Sequence, residues 1–533
     1  MTYTKHLGKK NAPTPQNQPI PGTVANSAGG YAFPVDDWKR LDRFLVLGAE
    51  GGSYYASERK LTIENAQAVI RCISADGKRA VARMVEISDS GRAPKNEPAI
   101  FALALAFAHG DPDTRHAAAE ALPKVCRIGT HLFHFAAYVD SLRGWGRGLR
   151  RAVANWYLNA TPAQLALQAV KYQQRDGWSH RDLLRLAHPV PRSEEQGTIL
   201  NWIAKGWESV EETPHPMDGA RVIWAFERAK TADLPELLRL IEDYQLPREA
   251  IPTEKLTEPK VWEALLPHMG LTALLRNLGN LSKLEVLAVN NSNPALSFVL
   301  KTLSDPNKLR KARVHPVEVL TALLTYQQGH GVRGKGEWTP VPKVVDALDA
   351  AFYASFGNVE PTHKRLMLAL DVSGSMVGGM IAGVPGLSPR VGSAAMAMIT
   401  AATEQNAFFT AFQTTLTPLS ISPRQRLDDI VKRISGLPFG GTDCSLPMIW
   451  ALEKKMAVDA FIVYTDSETW AGKIHPSVAL REYREKTGIA AKLIVVGMVA
   501  NNFSIADPDD GGMLDVVGFD TAAPNLMSDF IRE

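Results

Sequence analysis

Three short strings carry hard oxygen donors at spacings that suit a cation. Asp371-Val372-Ser373-Gly374-Ser375 places one carboxylate and two hydroxyls at alternate positions, so that they can converge on one ion. Gly440-Gly441-Thr442-Asp443 offers a hydroxyl and a carboxylate on a glycine-rich loop, and Tyr464-Thr465-Asp466-Ser467 offers Asp466 at the end of an apolar run. Such donors select Mg²⁺ or a similar divalent cation over zinc. The D-x-S-x-S string is also a capping and turn sequence, since Ser and Asp after a strand often cap the next helix.

A second chemistry is suggested by clustered cations. In Lys171–His188 (KYQQRDGWSHRDLLRLAH), Lys171 and Arg175 are four apart and share a face if the segment is helical. Arg181, Arg185 and His188 form a second row, Gly177 breaks the two, and Tyr172 and Trp178 lie among the charges. Cations with interleaved aromatics suit RNA, meeting phosphates and stacking on unpaired bases. The alternative is a solvated helix face with buried aromatics. Arg143–Arg151 (RGWGRGLRR) holds four arginines in nine residues and no acid, and Lys308–Arg313 (KLRKAR) holds four cations in six. Both suit phosphate contact or a solvated surface.

Other motifs fail on context. Gly329–Lys335 (GHGVRGK) satisfies G-x-x-x-x-G-K and G-x-G-x-x-G, but Gly336 stands where a phosphate loop needs Ser or Thr, and a helical segment precedes it. His131 and His134 (HLFH) have no third metal ligand nearby and read as core or RNA-contact histidines. Asp507, Asp509 and Asp510 form an acidic loop that reads as a turn. No G-x-S-x-G nucleophile elbow occurs.

The elements that must position these residues change character along the chain. Residues 1–30, with Pro13, Pro15, Pro19, Pro21 and Gly22, read as an extended arm. From about Val35 to Phe356 the pattern is helical: Ala163–Tyr172, Leu234–Tyr244 and Val317–Tyr326 repeat apolar residues every three or four positions, and Pro316 suits a first helical turn. Many short helices joined by Gly, Pro or Asp breaks predict stacked helical hairpins, a HEAT-like solenoid. After Pro361, the apolar runs Arg365–Val372, Ala407–Phe412, Ala460–Thr465 and Ala491–Met498 alternate with helical segments, which predicts a parallel sheet covered on both faces. D-x-S-x-S then sits at the carboxyl edge, where doubly wound sheets bind ligands.

At 533 residues the chain is long enough for two to four domains. Its net charge of +3 divides into +6 over residues 1–360 (44 Lys+Arg, 38 Asp+Glu) and −3 over 361–533 (15 and 18), so the basic excess lies in the helical part. The apolar run Ala99–Ala108 is too short to span a bilayer, and the polar first thirty residues lack a signal-peptide core. Three well-separated cysteines, Cys72, Cys126 and Cys444, predict neither disulfides nor a thiolate zinc site. A cytoplasmic protein with no membrane segment is expected.

Arg43–Leu61, Val125–Phe133, Lys171–Leu186, Leu271–Gly279, His330–Lys335 and Leu348–Tyr353 resemble the TROVE module of the Ro autoantigen family. Gly440–Trp450, His475–Arg484 and Ile505–Asp520 resemble the family's von Willebrand factor A domain, and the cation strings resemble the metal-ion-dependent adhesion site of such domains. The string between Glu208 and Glu242 departs from the family. The resemblance, closest to bacterial members, implies an N-terminal arm over 1–30, a ring of HEAT-like repeats (an α-solenoid) over 31–360, and a doubly wound α/β A domain over 361–533. It assigns Ser373, Ser375 and Thr442 as hydroxyl ligands of one divalent cation, with Asp371 and Asp466 bound directly or through water, and an open position for an acidic protein ligand. It implies Y RNA on the outer surface, single-stranded 3′ ends of misfolded RNA in the ring's hole, and a 3′-to-5′ exoribonuclease partner. Lys171, Arg175 and His188 carry over as RNA-binding residues, with Arg143, Arg147, Arg150, His131 and His134 as further candidates. A monomeric, non-enzymatic RNA quality-control adaptor is the expectation. The rivals are a metal-dependent protein-binding scaffold and a metal-dependent nuclease, the latter opposed by the lack of an evident general base.

Overall fold

The computed structural model describes residues 14–48, 61–90, 93, 95–208, 210–211, 213–289, 293–312, 314, 316–331, 336–355, 361–377, 387–422, 425–438, 440–498, 503–517 and 523–532. The chain divides into two compact units, one made of residues 66–357 and the other of residues 1–65 with 358–533. The division falls at 65/66 and at 357/358. The arm and the first helix pack with the C-terminal unit in this division. This segment contains β1 (Val24–Ala25), β2 (Tyr31–Pro34) and α1 (Asp37–Leu47), which Asp36 caps by accepting from the Lys39 amide.

The helical unit begins with α2 (Gln67–Ser90), α3 (Glu97–His109), α4 (Pro112–Val125), α5 (Gly129–Leu142), α6 (Arg147–Leu158) and α7 (Pro162–Lys171). A hairpin, β3 (Gln174–Arg175) with β4 (Trp178–Ser179), precedes α8 (His180–Ala187). Then come α9 (Glu194–Lys205), α10 (Asp218–Ala229), α11 (Leu234–Tyr244), α12 (Pro259–Leu265) and α13 (Leu271–Lys283). The unit ends with α14 (Pro294–Leu303), α15 (Pro306–Lys311), α16 (Pro316–Gln328) and α17 (Pro342–Ala354).

The breaks follow one local rule. Asp111, Thr161, Asp233, Asn293 and Asp305 each cap a helix whose first turn contains proline, so a side-chain oxygen satisfies an orphan amide while the ring sets φ. Packing then runs locally along the chain, α2 on α3 and α4, α4 on α6, α6 on α8, α7 on α10, and α16 on α17, the nearest-neighbour pattern of a solenoid. The apolar run noted above is α3, buried from Pro98 to Phe107, which makes it a core helix. Among the described residues, no helix is long and apolar enough to cross a membrane.

In the C-terminal unit a six-stranded sheet is built from β5 (Leu366–Asp371), β6 (Ala407–Phe412), β7 (Leu416–Leu419), β8 (Ala460–Thr465), β9 (Lys492–Gly497) and β11 (Met513–Val517). Its order is β11-β9-β8-β5-β6-β7, parallel except for β7. A further strand, β10 (Phe503–Ser504), pairs with β2. The four expected strands are present, and β7 and β11 are additions at the two edges. α18 (Pro389–Thr403), α19 (Leu427–Ser435), α20 (Leu446–Glu453), α21 (Pro476–Thr487) and α22 (Ala523–Arg532) complete the unit. Met367, Phe461, Val463 and Leu493 share a core with Met448, Leu480 and Tyr483, while the alternate residues Leu368, Leu370, Ile462 and Tyr464 are buried on the other face. Because β5 has β6 on one side and β8 on the other, the loops after β5 and β8 flank a topological switch point. The three cysteines are buried thiols.

The N-terminal segment is welded to this unit. Gln16 is fully buried: its amide nitrogen donates to Asp443 Oδ1 (2.7 Å) and the Ile474 carbonyl (2.9 Å), and its amide oxygen accepts from the Thr469 hydroxyl and the Gly472 amide. Asn26 donates to the Thr469 carbonyl (2.7 Å), and a Cβ at Gly30 would lie 1.8 Å from that carbonyl oxygen, so only glycine allows this approach. Farther along, Arg43 of α1 meets Asp515 of β11 at 2.7 Å, with both side chains buried. Truncating Gln16→Ala removes a partner from several buried groups at once. The variant is expected to lose about 1–3 kcal/mol of stability, the cost of stranding buried polar groups, read as a lower urea midpoint with native circular dichroism. An unchanged midpoint would show that the arm is not integral to this unit.

Candidate metal site and nucleic-acid interface

Asp371 is the last residue of β5, and the chain turns immediately into a 3₁₀ turn at Gly374–Met376. Asp371 Oδ1 accepts from the Ser373 amide (2.9 Å) and Oδ2 from the Thr465 hydroxyl at the end of β8 (2.6 Å). The Ser373 and Ser375 hydroxyls are 3.0 Å apart, and the Ser375 hydroxyl is hydrogen-bonded to Asp466, the first residue after β8. The structure thus brings Asp371, Ser373, Ser375 and Asp466 into one cluster. Thr442 is buried on the neighbouring loop, its carbonyl accepting from the Trp470 and Ala471 amides (3.0 Å each). Asp443 is directed elsewhere: Oδ1 accepts from the Ser445 amide and hydroxyl and from Gln16.

The cluster concentrates buried negative charge. Burial, and next the Asp466 carboxylate, push the Asp371 carboxyl up to about 7. Burial also raises Asp466, and burial together with Asp466 raises Glu468 to about 7. A bound divalent cation would offset these penalties, and carboxylates with hydroxyls are the donor set of a hard ion. Among the described residues no cluster of three or more His, Cys, Asp and Glu could hold a metal, so a site here depends on hydroxyls. Arg390, buried at the start of α18, donates to the Val372 (2.9 Å) and Ser373 (3.3 Å) carbonyls and fixes the D-x-S-x-S backbone. Sequence reasoning missed Arg390, Thr465, Glu468 and Gln16. The only cues were a hydroxyl beside Asp466 and an arginine after a helix-starting proline.

In the helical unit, Lys171 and Arg175 do not share a helix face. Lys171 ends α7, its ammonium 5.4 Å from the Tyr172 ring centroid. Asp176 (φ 51°) and Gly177 (φ 79°) then form the two-residue turn of a hairpin that pairs Arg175 with Trp178. Ser179 caps α8 through a capping box with Asp182, and His188 ends it, exposed, in the left-handed conformation. The Arg175 side chain is 60% exposed, with its Nε 3.7 Å from Asp176. Arg147, Arg150 and Arg151 are exposed on α6, while Arg143 donates to the Phe107 carbonyl (2.7 Å). Trp145, before α6, meets Trp178 of the hairpin with ring centroids 5.4 Å apart, which joins the two basic strings into one surface.

The two histidines point inward. His134 is buried, and its Nδ1 bonds Asp176, so it anchors the hairpin that carries Arg175. His131 lies beside Asn96 (3.4 Å), and burial pulls its pKa down to about 4, leaving it neutral and poorly suited to a phosphate. The remaining motifs resolve locally. In the GHGVRGK string, Gly329 follows a helix, and residues 332–335 lie outside the described residues. Lys308 sits 5.3 Å from the Phe298 ring, and Arg313 is outside the described residues. Asp507 and Asp510 accept from amides two residues ahead, and Asp510 pairs with Arg484 (2.6 Å), so this loop is a turn.

Comparison with known proteins agrees with both halves. The TROVE domain family matches residues 24–248 and 246–325, and the Ro60 vWA domain family matches 365–531. The chain is 47% identical to "RNA-binding protein RO60" of Deinococcus radiodurans over 96% of its length and 95% of that protein's. It is 36% identical to "RNA-binding protein RO60" of Caenorhabditis elegans, over 98% and 92%. The crystal structure of the Deinococcus radiodurans RO (RSR) protein superposes with a TM-score of 0.73 at 46% identity, covering 93% of this chain and 99% of that one. With both domain families matched in this order and full-length relatives on either side, the chain belongs to the Ro60 family.

Proposed function

We propose that this chain is an RNA-binding protein whose helical unit holds RNA at the surface shared by α6, the hairpin and α8. The observation that carries this reading is the Trp145–Trp178 pair set among Arg147, Arg150, Arg151 and Arg175. Guanidinium groups take phosphates, and the flat indoles offer stacking surfaces to unpaired bases. Lys171 and His188 extend the surface, and His134 acts through the hairpin. The names of the relatives, which describe RNA binding rather than catalysis, support the same reading.

The finer reading follows the family resemblance. Small noncoding Y RNA is held on the outer basic surface, and single-stranded 3′ ends of misfolded RNA enter a central hole. The protein serves as a cytoplasmic quality-control adaptor for a 3′-to-5′ exoribonuclease. Phosphate contacts supply most of the affinity, and selectivity comes from strand state more than base sequence.

In the C-terminal unit, Asp371, Ser373, Ser375, Thr442 and Asp466 would hold one divalent cation, Mg²⁺ by donor type. When bound, the ion supplies an open coordination position that an acidic side chain of a protein partner can fill. The raised carboxyls of Asp371, Asp466 and Glu468 support this reading, since they mark charge that the protein alone does not neutralise.

Two outcomes test these assignments. Lys171→Ala/Arg175→Ala should weaken binding of a 3′-tailed structured RNA by roughly tenfold or more at moderate salt, alike across RNA sequences, in a filter-binding titration. Normal binding would remove the hairpin from the interface. Thr442→Val is nearly isosteric and deletes one hydroxyl. It should lower Mn²⁺ affinity, followed by electron paramagnetic resonance, by about tenfold or more, and equal affinity in both proteins would take Thr442 out of the ligand set.

A further inference from the structure

A cavity of about 700 Å³ opens between α4 and α6, where the loop after α5 crosses them. Its volume lies in the range of small-molecule sites. Phe107, Val139, Leu149 and Trp156 give it an apolar lining. Arg115, Arg143, Arg147 and Arg151 also line it, and Glu120, engaged with His116 at 3.3 Å, is the one acid among the lining residues.

These arginines are not consumed by the fold. Arg147 and Arg151 are exposed, and Arg115 Nε is buried without a hydrogen-bond partner. Arg143 spends one donor on the Phe107 carbonyl, which fixes its guanidinium beside the cavity. The first turn of α6 also lines the space. Its N-cap, Gly146, offers no capping side chain, and no acid lies in that turn. A Cβ at Gly146 or Gly148 would meet nothing within 4 Å, so neither packing nor a positive φ explains glycine there. Two glycines, free amides at a helix start and four arginines together give a backbone that an anion can approach closely.

An apolar pocket with a cationic, amide-lined wall matches one chemistry: a nucleotide whose base enters the pocket and whose phosphates meet the arginines and the α6 amides. We propose that this cavity takes a single unpaired nucleotide of a bound RNA strand. The inference rests on the RNA reading above and adds a mode of recognition to it, since a base must leave its stack to enter. It gives the surface a means to prefer RNAs with bulged or terminal unpaired residues over uniform duplex.

The test uses the full-length protein and a hairpin RNA carrying one unpaired 2-aminopurine, with a blunt hairpin of the same stem as control. Wild type should bind the first more tightly than the second and change the 2-aminopurine fluorescence. Ala119→Phe, which fills the cavity from α4, should cost about tenfold in affinity for the unpaired-base RNA, abolish the fluorescence change, and leave blunt-hairpin binding intact. Asn155→Trp, on an exposed residue that lines the cavity from α6, should repeat the loss, with blunt-hairpin binding again intact, if Ala119→Phe fails to fold. RNA binding that persists with the unpaired-base preference unaltered by filling would overturn the cavity assignment while leaving the RNA reading in place. Failure of wild type to bind either RNA would overturn both. Free adenosine monophosphate binding as tightly as the strand nucleotide would overturn the RNA strand as the source, in favour of a mononucleotide.

Discussion

Burying Asp371 and Asp466 together is the constraint on which the C-terminal unit depends. Asp371 ends β5 and Asp466 follows β8, two fully buried parallel strands at the switch point of the sheet, where water cannot dissipate the charge. Everything around them serves to hold negative oxygens in place: the Thr465 hydroxyl and Ser373 amide on Asp371, the Ser375 hydroxyl and Glu468 amide on Asp466, and Arg390 gripping the carbonyls behind. A fold that maximised its own stability would not gather raised carboxyls in one crevice. The cation proposed for this site would offset that charge.

The arm makes sense in the same terms. Asp466, Glu468 and Thr469 lie on a loop that the Thr442 carbonyl, the Cys444 amide and the Ser375 hydroxyl hold from within the unit. Gln16 and Asn26 supply buried amide contacts, and the Ala28 amide donates to Glu468 Oε2 (3.0 Å). Residues from the start of the chain thereby preorganise the loop after β8. The helical unit works differently. Its candidate interface is a surface, rigid because capped helices and a tight hairpin carry it, and charged because exposed arginines crowd it.

What could be read from the sequence follows the range of the interactions involved. D-x-S-x-S was legible because it ends an apolar run, and strand and loop are both local. The hairpin at Gln174–Ser179 was obscured by the four-residue spacing of Lys171 and Arg175, which suggests a helix. Asp176-Gly177 followed by Trp178 and the capping Ser179 was the stronger local signal. β7 carries Pro418, tolerated only because the strand is an edge, and β11 carries Asp515 in its middle, so neither reads as a typical strand. The placement of the arm had no local signature at all. Gln16 and Asp443 are 427 residues apart, and Arg43 and Asp515 are 472 apart. Pairings at such separation are set by the folded topology and leave no periodicity to find.

The proposed RNA contact runs chiefly through phosphates on the arginine-rich surface of the helical unit. The most direct test is the salt dependence of binding a 3′-tailed RNA. Release of counterions from four or more phosphates predicts a fall in log Kobs against log salt with a slope of about −3 or steeper. A slope near zero, with binding retained, would contradict the claim and assign recognition to uncharged contacts.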